Sequence, residues 1–426
     1  MKTNIDYDLR NIPMPVVTDE TGREYPAQHV QAHSITGRRR ILFSTVLPPM
    51  GYRQFRIGKG YLAPVSKVSA SGNTLENEFF RITISDNGEI GIYDKEFSRE
   101  VFRGGATGCK GVIIDDPSDT WSHEVVDFTK STKGDYKYTT KGEIGSFGNA
   151  RLTIIENGPL RAAIDVVTRY GDSDMSIQWM LTSGSRRIEA NVTLNWHEKL
   201  KMLKFSFPVN VETPEATYET PYGHIIRKTE GEEDPGQRWI DVTGENKGYG
   251  LAVFNDAKYG YCVHGSDMHI TVSRSAPFAY HGPDPISKLD PDNYYYRMDQ
   301  GIQTLRLMLI PHTNCWRHIN APRIAEEFIA PPIVAYQGIH DGTMEKSASY
   351  LSIDAPNVTI PAVKLSEDGN EGIIRLVETL GKETNFSLNF PSAGYTWNGR
   401  IKPYEIKTLR LDTRYGSIKE VNLLEE

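Results

Sequence analysis

Cysteine is scarce in this chain. Its 426 residues hold three, Cys109, Cys262 and Cys315, an odd number at wide intervals, which excludes a disulfide framework. Long apolar runs are missing too, since no stretch approaches the roughly 18 consecutive apolar residues of a membrane span. The opening MKTNIDYDLRNIPMPVV has no basic segment leading into an apolar core, so no signal peptide is read there. These absences predict a cytoplasmic protein in a reducing compartment, with no membrane partner. Charge of one sign is equally short. The formal net charge of −7 is spread along the chain, and the basic triplet Arg38-Arg39-Arg40 is too small for a nucleic-acid footprint. No nucleic acid is expected as a partner.

Catalytic signatures are absent as well. There is no Gly-x-Ser-x-Gly elbow, no Gly-rich phosphate loop, no dinucleotide fingerprint and no His-Glu-x-x-His. No fixed-period repeat is visible, which disfavours a propeller or a solenoid. Helical periodicity is nearly missing, and PRIAEEFIA at 322–330 is the best short candidate.

What the sequence does hold is a period of two. FFRITIS, EIGIYDK, RLTIIEN, RAAIDVVTRY, RIEANVTLNW, YGLAVFND, MHITVSRS, TLRLMLIPH and IKTLRLDT alternate apolar and polar residues and are rich in Val, Ile, Thr and aromatics. Turn residues separate them, as at Asp86-Asn87-Gly88, where Asn87 and Gly88 suit the positive φ values of a tight two-residue hairpin loop. The expectation is an all-β protein, a large multi-stranded β-sandwich flanked by smaller β-sandwich units. The length allows two to three domains. Pro48-Pro49 and Gly51 mark a corner closing a small β domain over 1–65, a large central β-sandwich follows over 66–330, and a C-terminal β-sandwich runs over 331–426.

Two stretches concentrate chemistry. Between 218 and 277, Tyr222, Trp239, Tyr249, Tyr259 and Tyr261 lie among Gly, Asp, His and Arg. Sugar sites use such a mixture, stacking C–H groups on rings and bonding hydroxyls to charged groups; sandwich cores and turns use it as well. In DDPSDTWSHEVVDF, 115–128, Asp115, Asp116, Asp119, His123, Glu124 and Asp127 surround Trp121. Paired carboxylates serve as acid and base in glycoside hydrolysis, and equally as caps of an Asp-Pro loop. His312, Cys315 and His318 fall at intervals of three, but structural zinc sites take four ligands, and the stretch reads as a loop after a strand. His264 and His269 face opposite sides of a strand. No catalytic and no metal residue is assigned.

NEFFRITISDNGEIGIYDKE resembles the opening of the large C-terminal β-domain of glycoside hydrolase family 38 alpha-mannosidases, which is similar to the galactose-mutarotase-like sandwich. ETPYGHIIR, RWIDVT, GYGLAVFNDAKYGY, VSRSAP and RLMLIPH follow in the family's order; VLPPMGYRQFRI and KPYEIKTLRL resemble its small preceding β unit and its closing strand. The resemblance implies that zinc and the retaining hydrolysis of alpha-mannosides belong to an N-terminal β/α barrel and the helices after it. The His-x-Asp and His-His-Asp stretches of that region are found nowhere here, and the first β unit looks shortened at Met1. The chain is therefore expected to be a non-catalytic portion with no cofactor of its own, partnered in cis or trans by the barrel.

The same resemblance places the SDTWSH and ETPYGHIIR loops near the sugar-binding face, with Trp121, His123, Tyr222 and Arg227 as outer contacts to a mannose-containing glycan. A surface that normally covers a barrel would be apolar, so self-association is expected of the chain alone. Two other readings stay open: a free-standing carbohydrate-binding module, and a sugar epimerase acting through His224 with a glutamate.

Overall fold

The computed structural model describes residues 2–4, 15–30, 40–60, 62, 65–122, 125–130, 140–244, 248–280, 294–338, 340–412 and 416–426. Antiparallel strands dominate, in keeping with the period of two, and they gather into two compact units. One comprises residues 66–220 and 224–319; the other comprises 1–65, 221–223 and 320–426.

The first unit is a sandwich. Its nine-stranded sheet runs, in spatial order, through Gly148–Asn157, Arg161–Tyr170, Ser173–Thr182, Ile188–Trp196, Gly301–His312, Gly250–Asn255, Trp239–Gly244, Pro214–Thr220 and Gly223–Arg227. A six-stranded sheet orders Glu143–Ser146, Lys110–Asp115, Lys201–Pro208, Asp267–Arg274, Gly260–His264 and Asp234–Pro235. A five-stranded sheet carries Phe80–Ile84 and Ile90–Asp94. Alternation explains the core: Met175, Ile177, Trp179 and Leu181 of one strand all point inward. They meet Leu203, Phe205 and Phe207 of the six-stranded sheet, and Phe80, Ile82 and Ile92 of the five-stranded one, in a single core. Each such fully buried side chain contributes roughly 1.5–3 kcal/mol.

The opposite face of the six-stranded sheet is covered too. Val125 and Phe128 pack on Val112, Ile114 and Met202. The segment after Trp121 is thus pressed onto the sheet from outside, which positions the residues considered below.

The hairpin around Asp86-Asn87-Gly88 differs from the two-residue loop expected. Ser85 and Glu89 close it, with the Ser85 N–H donating to the Glu89 carbonyl at 2.8 Å and the Gly88 N–H to the Ser85 carbonyl at 2.9 Å. This is a three-residue loop, in which Gly88 supplies the left-handed residue at φ +85°. A Cβ there would stand 2.5 Å from Thr168 Cγ2, so glycine is required by space as well as by conformation.

In the second unit, Pro15–Asp19, Glu24–Val30, Arg40–Phe43 and Phe55–Lys59 form a sheet with Lys2–Asn4 around Val17, Tyr25, Ile41 and Phe43. A four-stranded sheet holding Gly372–Glu378 and Ile406–Asp412 and a three-stranded sheet holding Thr384–Phe390 enclose Ile374, Leu376, Leu388 and Leu409. Gly51–Arg53 pairs with Ser347–Ser349. The helical candidate at 322–330 is a helix, Ala321–Ile329, burying Ala321, Ala325 and Phe328 at the spacing of one helical face.

Candidate functional site

Trp121 rides on a loop fixed by one arginine. The strand Lys110–Asp115 leads into a segment whose Asp116, Ser118 and Asp119 are wholly buried. Arg274, the last residue of its strand, faces them. Its Nε donates to Asp116 Oδ2 at 2.7 Å and its Nη1 to the Thr120 carbonyl at 2.9 Å. Its Nη2 reaches Ser118 Oγ at 2.8 Å, the Asp119 carbonyl at 2.7 Å and Asp116 Oδ1 at 3.3 Å. The Phe128 ring centre lies 5.4 Å from the guanidinium carbon. Asp119 turns the chain, accepting the Trp121 N–H at 3.0 Å on its carboxylate and the Ser122 N–H at 3.2 Å on its carbonyl. Ser122 is left-handed at φ +54°. The outcome is a Trp121 side chain 57% exposed above a buried ionic base. Asp116 and Asp119 therefore serve to bind an arginine and cap a turn. His123 and Glu124 lie outside the described residues.

Arg227 closes the strand Gly223–Arg227. Its Nη1 lies 2.8 Å from Asp234 Oδ1, and its guanidinium carbon 5.9 Å from the Tyr218 ring centre. Burial raises the Asp234 carboxyl above its ordinary value, Arg227 acting against the rise. The adjacent Glu233 meets a wholly buried Lys204, whose Nζ also donates to Thr271 Oγ1 at 2.6 Å. Thr271 Oγ1 in turn donates to Glu233 Oε1 at 2.5 Å. Burial opposes both charges here, and their mutual attraction overcomes it: Glu233 is held below the ordinary carboxyl value and Lys204 above the ordinary amine value. Burial pushes the neighbouring Cys262 thiol up to about 12, so it stays protonated.

Trp121 and Arg227 belong to segments that the fold joins. The Glu233 N–H donates to the Val126 carbonyl at 2.8 Å, and Lys130 Nζ to the Glu230 carbonyl at 3.2 Å. The segments around Val126–Lys130 and Glu230–Glu233 thus meet over the outer face of the six-stranded sheet. Gly231, at φ +97°, permits the approach, for a Cβ there would stand 2.8 Å from Asp127 Oδ2.

Tyr222 occupies the turn before Gly223–Arg227, left-handed at φ +59° and 48% exposed. Of the other aromatics in that stretch, Trp239, Tyr249 and Tyr261 are buried, whereas Tyr259 is exposed. The His224 ring centre lies 4.5 Å from that of Trp316, and its Nε2 is 3.1 Å from Arg317 Nη2. Burial, then Arg317, lowers its pKa and keeps the imidazole neutral. His312 is paired with Asp241 at 2.6 Å in the interior. Among the described residues no three His, Cys, Asp or Glu side chains converge into a metal set, so they do not fit a zinc ion.

Arg274, Lys204 and Glu233 organise this region, and the sequence alone singles out none of them. The available signal was positional: Arg274 ends an alternating strand within VSRSAP, and Lys204 interrupts the apolar KMLKFSFP.

Comparison with known proteins accounts for the architecture. Residues 75–285 match the glycosyl hydrolases family 38 C-terminal domain. Alpha-mannosidase G of Dictyostelium discoideum is 24% identical over 95% of this chain and 39% of its own length. Human alpha-mannosidase 2C1 is 27% identical over 74% of the chain and 29% of its own length. The chain thus spans well under half the length of these curated relatives. A family 38 glycosyl hydrolase structure from Enterococcus faecalis superposes with a TM-score of 0.74 at 16% identity, covering 96% of this chain and 56% of that one, which establishes the shared fold. Among the described residues no helix is long and apolar enough to cross a membrane. Residues 75–285 of this chain are thus identified as a glycosyl hydrolases family 38 C-terminal domain.

Proposed function

We propose that this chain is the non-catalytic β-sandwich portion of an alpha-mannosidase, and that it supports the catalytic barrel and lines the outer part of the sugar site. The observation that carries the reading is the alignment with Alpha-mannosidase G, which takes in 95% of this chain but 39% of the relative. The zinc-dependent, retaining hydrolysis of alpha-mannosides belongs, in this reading, to the whole enzyme, and no step of it falls to a described residue of this chain.

The chemistry of the site edge supports a lining role. Three of its described acids are paired: Asp116 with Arg274, Glu233 with Lys204 and Asp234 with Arg227. Such pairs fix loops, which is a positioning role and not that of a free acid or base. Trp121 is an exposed ring and Arg227 a part-exposed cation of the same unit, and Tyr222 is exposed on its own turn. Rings and guanidinium groups together suit sugar C–H faces and hydroxyls. The partners in this reading are a mannose-containing glycan, the barrel in cis or trans and, for the chain alone, further copies of itself. Its three cysteines are free thiols, consistent with a cytoplasmic location.

The test is hydrolysis of an aryl alpha-mannoside by the purified 426-residue chain with added zinc or cobalt. No turnover by folded protein supports the reading. Turnover abolished by a chelator overturns it.

A further inference from the structure

The Arg274 network does more than bury an ion pair. Thr120, next to Trp121, is held at every polar atom. Its carbonyl accepts Arg274 Nη1 at 2.9 Å, its N–H donates to the Tyr280 carbonyl at 3.1 Å, and its hydroxyl donates to the Pro277 carbonyl at 2.6 Å while accepting the Tyr280 N–H at 3.0 Å. The loop carrying Trp121 is therefore bonded, through one residue, to the loop 276–280. That second loop presents Phe278, 69% exposed. It is tied down in turn, the Phe278 N–H donating to the Tyr296 carbonyl at 2.8 Å and the Met298 N–H to the Ala276 carbonyl at 3.0 Å. The Arg274 N–H closes the set on Asp299 Oδ2 at 3.0 Å. One arginine thus anchors two loops, and each displays a large ring to solvent.

A connected and satisfied polar network of this kind rigidifies what it holds. Hydrophobic burial does not require it, because both rings it supports are exposed. Fixed exposed rings are what a carbohydrate contact needs, since ring stacking on a sugar is weak and any ordering cost at the moment of binding subtracts from it.

We propose that Arg274 is a positioning residue that, acting through Thr120, fixes Trp121 and Phe278 as one aromatic edge on which a sugar ring packs. This rests on the reading of Trp121 as an outer sugar contact. It adds Phe278 as a second contact and identifies Arg274 as the group that sets both. The guanidinium is required as a fork: it serves Asp116, Ser118, Asp119 and Thr120 at once, which an ammonium does not match.

The test joins hydrogen exchange with sugar titration on the 426-residue chain, using mannotriose as the probe. Arg274→Lys and Arg274→Met are expected to speed exchange in peptides over 116–122 and 276–280 while the strand Ser173–Thr182 keeps its protection. Thr120→Val leaves the Arg274–Asp116 pair in place and so guards against simple misfolding; it is expected to loosen 276–280 in the same way. Mannotriose affinity should fall about three- to tenfold in Trp121→Ala and Phe278→Ala, the size of one ring contact, and by a similar factor in Thr120→Val and Arg274→Met, with Arg274→Lys between them and wild type. Unchanged exchange in both Arg274 variants overturns the positioning role, as does loosened exchange with unchanged affinity. Normal binding by Phe278→Ala with weakened binding by Trp121→Ala removes the shared edge but spares the reading of Trp121. If Trp121→Ala also binds like wild type, that reading fails and this inference falls with it.

Discussion

His312 Nε2 lies 2.6 Å from Asp241 Oδ2, with both side chains almost wholly out of solvent. Thr243 Oγ1 donates to the other carboxylate oxygen at 2.5 Å. Burial lowers the imidazole pKa, but the Asp241 charge and hydrogen bond outweigh it, and the net direction is upward from 6.5. A group whose pKa is raised on folding stabilises fully below its unfolded value and loses that contribution as pH rises through the folded one. Wild-type stability is therefore expected to decline from about pH 6.5 upward. His312→Gln should be less stable at pH 6 and lack that decline. Urea unfolding at pH 6 and at pH 9 measures both; parallel curves for the two proteins contradict the assignment.

Lys204 and Glu233 make a second test of burial against charge. Lys204→Met leaves Glu233 beside an apolar group, and the expected loss is about 2–4 kcal/mol, below that of a fully enclosed pair because Glu233 keeps some solvent contact. The double variant Lys204→Met with Glu233→Gln should recover most of it. Chemical denaturation of the four proteins of the cycle gives the coupling. A strictly additive cycle would show that the two side chains do not interact.

Gly88 combines a left-handed φ with a crowded Cβ position. Gly88→Ala is expected to cost about 2–3 kcal/mol, of which the backbone part is about 1 kcal/mol. The remainder is contact with Thr168 Cγ2, at 2.5 Å from the added Cβ, and with Val166 Cγ1, at 3.1 Å. Placing Thr168→Ser beside Gly88→Ala removes the nearer methyl and should return most of the steric part and none of the backbone part. Thermal unfolding separates the two contributions, and an alanine variant as stable as wild type contradicts the loop geometry.

Asp19 governs the acid limit of its sheet. Burial raises its carboxyl pKa, but hydrogen bonds from Thr21 and Tyr25 and from the Arg23 and Thr21 amides outweigh this, holding it well below its ordinary 3.8. Arg53 Nη2 lies 2.6 Å away. A depressed carboxyl stabilises above its unfolded pKa and loses that contribution as pH falls toward the folded one. Wild type should lose stability below about pH 4 more steeply than Asp19→Asn. Thermal melts between pH 5 and pH 2.5 read the difference, and equal slopes count against the role of Asp19.

Much of the fold was legible because it is local. Alternation in FFRITIS or RIEANVTLNW fixes which side chains face the core, and the Ala321–Ile329 helix shows its buried face at helical spacing. The hairpin at Asp86-Asn87-Gly88 was also visible, but its loop length depends on Ser85 pairing with Glu89, which composition does not reveal. The site edge was legible only in part. Trp121 and Arg227 stand in aromatic- and charge-rich stretches, whereas the groups that fix their segments come from far along the chain. Arg274 and Asp116 are 158 residues apart, and Lys204 sits in a strand where a lysine would ordinarily mark the solvent face. Its carboxylate partner arrives from a different loop, so only the folded chain shows that the charge is buried.

The most direct measurement is calorimetric titration of the 426-residue chain with mannose oligosaccharides at millimolar concentration, in wild type, Trp121→Ala and Arg227→Ala. The account predicts weak binding in wild type that is reduced in both variants, with all three proteins folded. No heat beyond dilution in wild type, or full binding retained in both variants, would contradict the claim that this β-domain lines a sugar site.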